Sequence, residues 1–239
     1  MKKSIITVAI ILFVSIQTQA QWFNRIKGNG ILKTEHRSLK NYDKITVSGS
    51  FNVALVYGEE GDISIKMEEN LLEYLVTEVK GDKLIIRWKK KVNISTRRGI
   101  HIIVPFKDIN TIVLTGSGDV ICKDLIKTNN FNTLLTGSGD IIANIEADSI
   151  KAKVTGSGNI ELLGESHSLD VLVTGSGGFQ SYKMIAETAN TRVTGSGDIG
   201  LFVSQDITAK VFGSGDIVYR GHPKNQDTKV FGSGDIIEK

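Results

Sequence analysis

The chain has 239 residues, with 29 Lys and Arg against 26 Asp and Glu, a net charge of +3, 25 glycines, two prolines and one cysteine. That length can bury a full core without cross-links, a lone thiol excludes an internal disulfide framework, and the near balance of charge excludes a global attraction to nucleic acid. Abundant Ile, Val and Gly point to an all-β chain rather than a disordered one.

The N-terminus reads Met1-Lys2-Lys3, an apolar run from Ile5 to Ile16, then Thr18-Gln19-Ala20. A positive head, a short greasy segment and a small-residue exit predict a secretory signal peptide over residues 1–20, too short for a stable membrane span. The mature protein is expected to start near Gln21, and without Lys2 and Lys3 its net charge is +1. No cysteine follows that could accept a lipid, and no later run is long enough to cross a membrane.

Residues 21–105 read as β-rich but irregular. Lys44 to Tyr57 alternates through Ile45, Val47, Phe51, Val53 and Leu55, and Gly81-Asp82 predicts a hairpin tip between Leu75–Val79 and Leu84–Trp88. Asn70 is expected to cap a single helical turn through Tyr74. Ser48-Gly49-Ser50-Phe51 resembles a worn copy of the Gly-Ser-Gly turns that recur later in the chain.

From residue 106 to 239 the chain is regular. Gly-Ser-Gly begins at Gly116, Gly137, Gly156, Gly175, Gly195, Gly213 and Gly232, at spacings of 21, 19, 19, 20, 18 and 19 residues. Such a period predicts a solenoid, a parallel β-helix in which each repeat is one rung packed on its neighbours. Two residues before each first glycine stand Leu114, Leu135, Val154, Val173, Val193, Val211 and Val230. After the turn stand Val120, Ile141, Ile160, Phe179, Ile199, Ile217 and Ile236. Period-two alternation sends both columns inward, puts both glycines inward at a corner, and displays the neighbouring Thr, Ser and Asp outward. One domain over 21–239 is expected, with free strand edges only at its two ends.

The Asp column runs Asp119, Asp140, Asn159, Gly178, Asp198, Asp216 and Asp235. Carboxylates stacked at the ~4.8 Å strand spacing repel by roughly 1 kcal/mol per pair in water, so something must offset them. An Asx-turn, each Asp accepting backbone N–H bonds, is one answer; a cation such as Ca2+ between Asp119, Asp140, Asp198, Asp216 and Asp235 is the other. No other cofactor is expected.

The signal segment, Val47-Ser48-Gly49-Ser50-Phe51-Asn52-Val53, the Leu75 to Trp88 hairpin and the serial Thr-Gly-Ser-Gly-Asp-Ile turns together resemble the Bacteroidetes "putative auto-transporter adhesin, head GIN domain" family over almost all of the mature chain. The resemblance implies an exported β-helical protein in periplasm, cell surface or medium, with an adhesive role and no catalytic residues to carry over. The last rung runs to Lys239, and no translocator barrel segment is expected in these residues. Asp148-Ser149-Ile150 is similar to the O-glycosylation sequon of exported Bacteroidetes proteins.

Non-catalytic binding of an envelope glycan or protein is the leading expectation. The alternatives are a polysaccharide lyase or hydrolase using the Asp ladder, and a self-assembling structural protein. Candidate binding residues are the basic cluster Lys89, Lys90, Lys91, Arg97 and Arg98, and Phe212 with Phe231, which replace the outward Thr in the last two rungs. Those aromatics are expected to be buried by a fold-back of the N-terminal segment, by a second copy at the C-terminal end, or by a ligand. Outward Val113, Leu134, Ile121 and Ile142 predict that the N-terminal region packs over the first rungs. Cys122, in column with Ala143, Leu162 and Leu201, is expected to be a buried inert thiol. His36, His101, His167 and His222 have no metal-type spacing.

Overall fold

The structure, a computed structural model, describes residues 25–239; the signal segment lies outside the described residues. Its strands are β1 (Arg25–Lys27), β2 (Leu32–Arg37), β3 (Lys44–Ser48), β4 (Asn52–Tyr57), β5 (Ile63–Glu68), β6 (Leu75–Lys80), β7 (Lys83–Trp88), β8 (Asn93–Ser95) and β9 (His101–Phe106). These are followed by β10 (Thr111–Gly116), β11 (Asp119–Gly137), β12 (Asp140–Gly156), β13 (Asn159–Gly175), β14 (Gly178–Gly195), β15 (Asp198–Gly213), β16 (Ile217–Arg220), β17 (Asn225–Gly232) and β18 (Ile236–Glu238). The chain is an all-β solenoid of parallel rungs of about 19 residues.

Each of β11 to β15 runs from one Gly-Ser-Gly corner to the next and pairs in parallel with the rungs on either side. The register sets like on like: Gly116 lies beside Gly137, Gly137 beside Gly156, and so on to Gly232. Both aliphatic columns are buried as far as Val211 and Ile217. Burying each Val, Ile or Leu contributes about 1.5–3 kcal/mol, so these columns are the main source of stability.

Close approach explains the glycines. A Cβ at Gly175 would sit 2.5 Å from the carbonyl oxygen of Gly156 one rung earlier, and the second glycine of each corner is crowded in the same way, Gly158 against Gly139. The first glycine also needs a left-handed backbone, with φ between +114° and +143° along the row. The two are not equally buried: the second is fully covered, the first only half.

The N-terminal end departs from chain order. β3 and β4 stack directly on β10 and β11, with Ser48 beside Thr115 and Asn52 beside Asp119, so Ser48-Gly49-Ser50-Phe51 is a corner as expected. Phe51 takes the place of the second glycine. Its buried ring lies over Gly49 and against Trp88, 5.1 Å between centroids, and closes the glycine column. Residues 83–106 then form a further rung outside that one, although they come later in the chain: β7 pairs with β3 and β9 with β4. Antiparallel strands finish the end, β6 on β7, β5 on β9 and β2 on β5. The Gly81-Asp82 hairpin is present.

Three expectations are corrected. The helical turn is a 3-10 segment, Glu69–Tyr74, whose start has no side-chain cap. Asn70 instead accepts the Asn29 N–H at 3.0 Å and donates to the Lys27 carbonyl at 2.9 Å, tying β1 to the end of the stack. The N-terminal strands also do not pack over the outer face of the first rungs. They lengthen the stack along its axis, because their unpaired backbone finds partners there, and Val113, Leu134, Ile121 and Ile142 remain half-buried. Finally, the described N-terminal residues lie at the end opposite Phe231 and so do not fold back over it.

Gly158→Ala is expected to cost roughly 2–4 kcal/mol in denaturant unfolding, because the methyl would meet backbone that cannot move aside. Exposed Ser157→Ala at the same corner should change stability by less than about 0.5 kcal/mol.

Candidate functional site

The Asp row is bonded between rungs rather than within its own turn. Asp119 accepts the N–H of Asp140 at 3.2 Å, Asp140 that of Asn159 at 3.0 Å, Asp198 that of Asp216 at 2.9 Å and Asp216 that of Asp235 at 2.8 Å. Where the preceding rung has no Asp, the same N–H turns to a backbone carbonyl: Asp119 to Phe51, Gly178 to Gly158, Asp198 to Gly177. Each of these four carboxylates thus spends its charge on the next rung, which offsets the repulsion along the row. This corrects the Asx-turn expectation. Among the described residues no group of three His, Cys, Asp or Glu side chains gathers as a metal site needs.

Cys122 is buried, donates to the Asp124 carbonyl at 3.3 Å, and has its thiol pushed up to about 12 by burial and by the Asp124 charge. Such a thiol is inert at neutral pH. His36, His167 and His222 each lie beside surface carboxylates, Asp62, Asp148 and Glu238 respectively, and His101 is exposed on β9. Asp148 is exposed, while Ser149 beside it is half-buried in β12.

The basic cluster occupies the link from β7 to β9, where the outermost rung has a long loop in place of Gly-Ser-Gly. Lys89, Lys90, Lys91, Arg97 and Arg98 are all exposed, with Lys89 over the Tyr74 ring at 5.9 Å. Buried Glu68 anchors this loop, accepting the Thr96 hydroxyl at 2.7 Å, the Arg97 N–H at 2.9 Å and the Gly30 N–H at 2.8 Å. Burial pushes the Glu68 carboxyl up, but these hydrogen bonds outweigh it and hold the group below the usual glutamate range.

Phe212 and Phe231 sit at the other end of the stack, so the two predicted clusters are not brought together. Their rings stack at 4.9 Å, 10° from parallel, and Phe231 is 57% exposed. The Arg192 guanidinium lies over Phe212, 4.4 Å from the ring centre. Register places Arg192, Lys210 and Lys229 in one outward column next to the aromatic one. Reading that second column at the same rungs would have disclosed this cationic and aromatic face from the sequence.

A further groove of about 450 Å³ lies at the far bend, its apolar part formed by Tyr57, Phe106, Ile109, Leu125 and Ile126 and its charged part by Lys107, Lys127, Asp108 and Asp124. Tyr57 stands edge-on to Phe106 at 5.9 Å, and its N–H is held by Asp124 at 2.7 Å. No repeated motif marks this bend in the sequence, and the groove was not foreseen.

A parallel β-solenoid whose corners are structural and whose outer face carries the varied side chains is of the adhesin-like class. The chain belongs to the family described as "Putative auto-transporter adhesin, head GIN domain", whose profile matches residues 41–223. It is similar in structure to a putative adhesin from Bacteroides fragilis, with 22% identity, TM-score 0.83, and 90% of this chain and 100% of that one covered. A putative lipid binding protein from Parabacteroides distasonis matches with 28% identity and TM-score 0.76, over 90% and 99% of the two chains. A putative adhesin from Parabacteroides merdae matches with 21% identity and TM-score 0.72, over 90% and 99%. A search of curated proteins returns no match. The family and these two adhesins are named as adhesins rather than enzymes, in keeping with a non-catalytic surface protein. Among the described residues no helix is long and apolar enough to cross a membrane.

Asp216→Ala leaves the Asp235 N–H to a backbone carbonyl, as at Gly178 and Asp198, and is expected to cost about 0.5–1 kcal/mol, whereas Asp235→Ala, in the last rung, should cost little. Equilibrium unfolding of the two variants side by side checks this. Because the Glu68 carboxyl is lowered in the folded state, its contribution is complete above the ordinary glutamate value and is lost as pH falls through the lowered one. Glu68→Gln is expected to lose roughly 1–3 kcal/mol at neutral pH and to show a shallower loss of stability in acid, measured by unfolding across pH.

Proposed function

We propose that this is an exported, non-catalytic binding module of the cell envelope that holds acidic glycans on the outer face of its C-terminal rungs. The observation that carries this reading is the stack of Arg192, Phe212 and Phe231 beside Lys210 and Lys229. Phe231, stacked on Phe212 through one face and 57% exposed, offers its other face to the C–H side of a sugar ring, and the adjoining cations match carboxylates or sulfates on the same chain. Rungs repeat at ~4.8 Å, close to the length of one sugar unit, so successive side chains can meet successive residues of an extended polymer. Adhesin names among the family and its solved relatives support the surface role.

A second reading rests on the Tyr57 groove. Its mainly apolar lining suits a single acyl chain, with Lys107 and Lys127 balanced by Asp108 and Asp124, and one solved relative is named a putative lipid binding protein.

One titration series separates the two. Binding to a panel of acidic polysaccharides and to palmitate is measured by calorimetry for the native protein, for Phe212→Ala with Phe231→Ala, and for Leu125→Asp. The glycan reading expects polysaccharide binding that weakens about tenfold or more in the double alanine variant and falls with salt. Polysaccharide binding unchanged in that variant, or absent across the panel, overturns it. Palmitate binding lost only in Leu125→Asp would favour the groove.

A further inference from the structure

The last rung leaves an edge that matches itself. β17 pairs with β15 on one side and, among the described residues, with nothing on the other. Val230, in the inward column, is 42% exposed there, although its counterparts in earlier rungs are buried.

The direction of the free backbone groups can be read from the earlier rungs. The Gly116 carbonyl accepts the N–H of Ser138 in the following rung, and Gly49 donates forward to Thr115. Outward-facing Asn132, by contrast, donates back to Asn110. First glycines and inward residues therefore bond toward the C-terminal end, and outward residues toward the N-terminal end. Applied to β17, the alternation aims the N–H and C=O of Gln226, Thr228, Val230 and Gly232 off the end of the stack, and leaves Asp227, Lys229 and Phe231 facing outward.

We infer that this edge takes a second copy of the chain, β17 pairing antiparallel with the partner's β17 about a two-fold axis through Thr228. A two-fold between identical antiparallel strands passes through either a hydrogen-bonded or a non-hydrogen-bonded residue pair, so near the middle of Asn225–Gly232 it can fall at Thr228 or at Lys229. An axis at Lys229 would set that lysine on the partner's Lys229, whereas an axis at Thr228 avoids the like-charge pair and keeps as much of the strand paired. There Thr228 exchanges both bonds with the partner's Thr228, and Gln226 and Val230 exchange theirs across the axis. The intervening pair is non-hydrogen-bonded, the kind in which side chains come closest, and it sets Asp227 opposite the partner's Lys229 and Lys229 opposite the partner's Asp227. An axis at Gln226 would set Lys229 against the partner's Pro223, and one at Val230 would set it against the partner's Phe231.

The opposite end of the solenoid does not compete. Its outer strands carry Lys33, Glu35 and Arg37 on β2 and Glu78 and Lys80 on β6, charges that blunt an edge. Pairing at β17 covers Val230, continues the sheet through both copies, sets Phe231 opposite the partner's Asn225, and leaves Phe212 and Arg192 of each copy facing outward.

Sedimentation velocity on the chain from Gln21 onward, without ligand, from low to several hundred micromolar, tests this separately from glycan binding. A concentration-dependent dimer is expected. Lys229→Asp sets acid against acid across the axis and should weaken it roughly tenfold or more. Lys229→Asp combined with Asp227→Lys exchanges the charges and should restore the dimer. Because the double variant keeps the native composition, it also controls for folding, which circular dichroism checks in both. A protein that stays monomeric throughout, a dimer indifferent to Lys229→Asp, or a double variant no better than the single one would each overturn the proposal.

Discussion

Everything in this solenoid depends on how closely the backbone passes itself at the Gly-Ser-Gly corner. At Gly137 and Gly139 a carbonyl oxygen of the rung before fills the space a side chain would need, and only hydrogen can face it. That contact holds successive rungs in register, glycine on glycine, so the columns beside the corner are stacked like on like. The buried Val and Ile columns result from it, and so do the outward rows of Thr, Ser and Asp. Phe51 ends the column by filling with an aromatic ring the place that a further glycine would have left open.

Stacking like on like has an electrostatic consequence, because it places carboxylate above carboxylate. The protein resolves it by hydrogen bonding along the axis, each Asp holding the N–H of the residue stacked upon it. A side chain committed to that bond is poorly placed to serve as an acid, a base or a ligand. The side chains free of such bonds are therefore found where the repeat is broken. One such place is the run of Phe212 and Phe231 beside Arg192, Lys210 and Lys229; another is the Tyr57 groove at the unmarked bend. Among the described residues the two ends also differ in kind, one closed by antiparallel strands bearing charge, the other a parallel rung with an unpaired edge.

Much of this was legible beforehand. Period-two alternation around a glycine pair assigned the inward columns residue by residue, and the worn corner at Ser48 to Phe51 was recognisable because Val47 and Val53 keep the same spacing about it. Phe212 and Phe231 stood out because they depart from their own column. The Tyr57 groove was not legible, since nothing repeats at the bend where Asp124, Leu125 and the Phe106 ring meet. The basic cluster was legible as charge but not as position: only the fold shows it at the end away from Phe231.

The sequence by itself determined the rung, its faces and its period, because each of these is set by local alternation and by the tolerance of one backbone site for glycine alone. Only the tertiary structure decided the order in which the N-terminal segments stack, residues 44–57 lying inside residues 83–106. It also decided which N–H each Asp would hold. Both are pairings between segments distant in the chain, made by backbone groups that every residue carries alike, and a pattern of side chains along one strand does not say which neighbour those groups will meet.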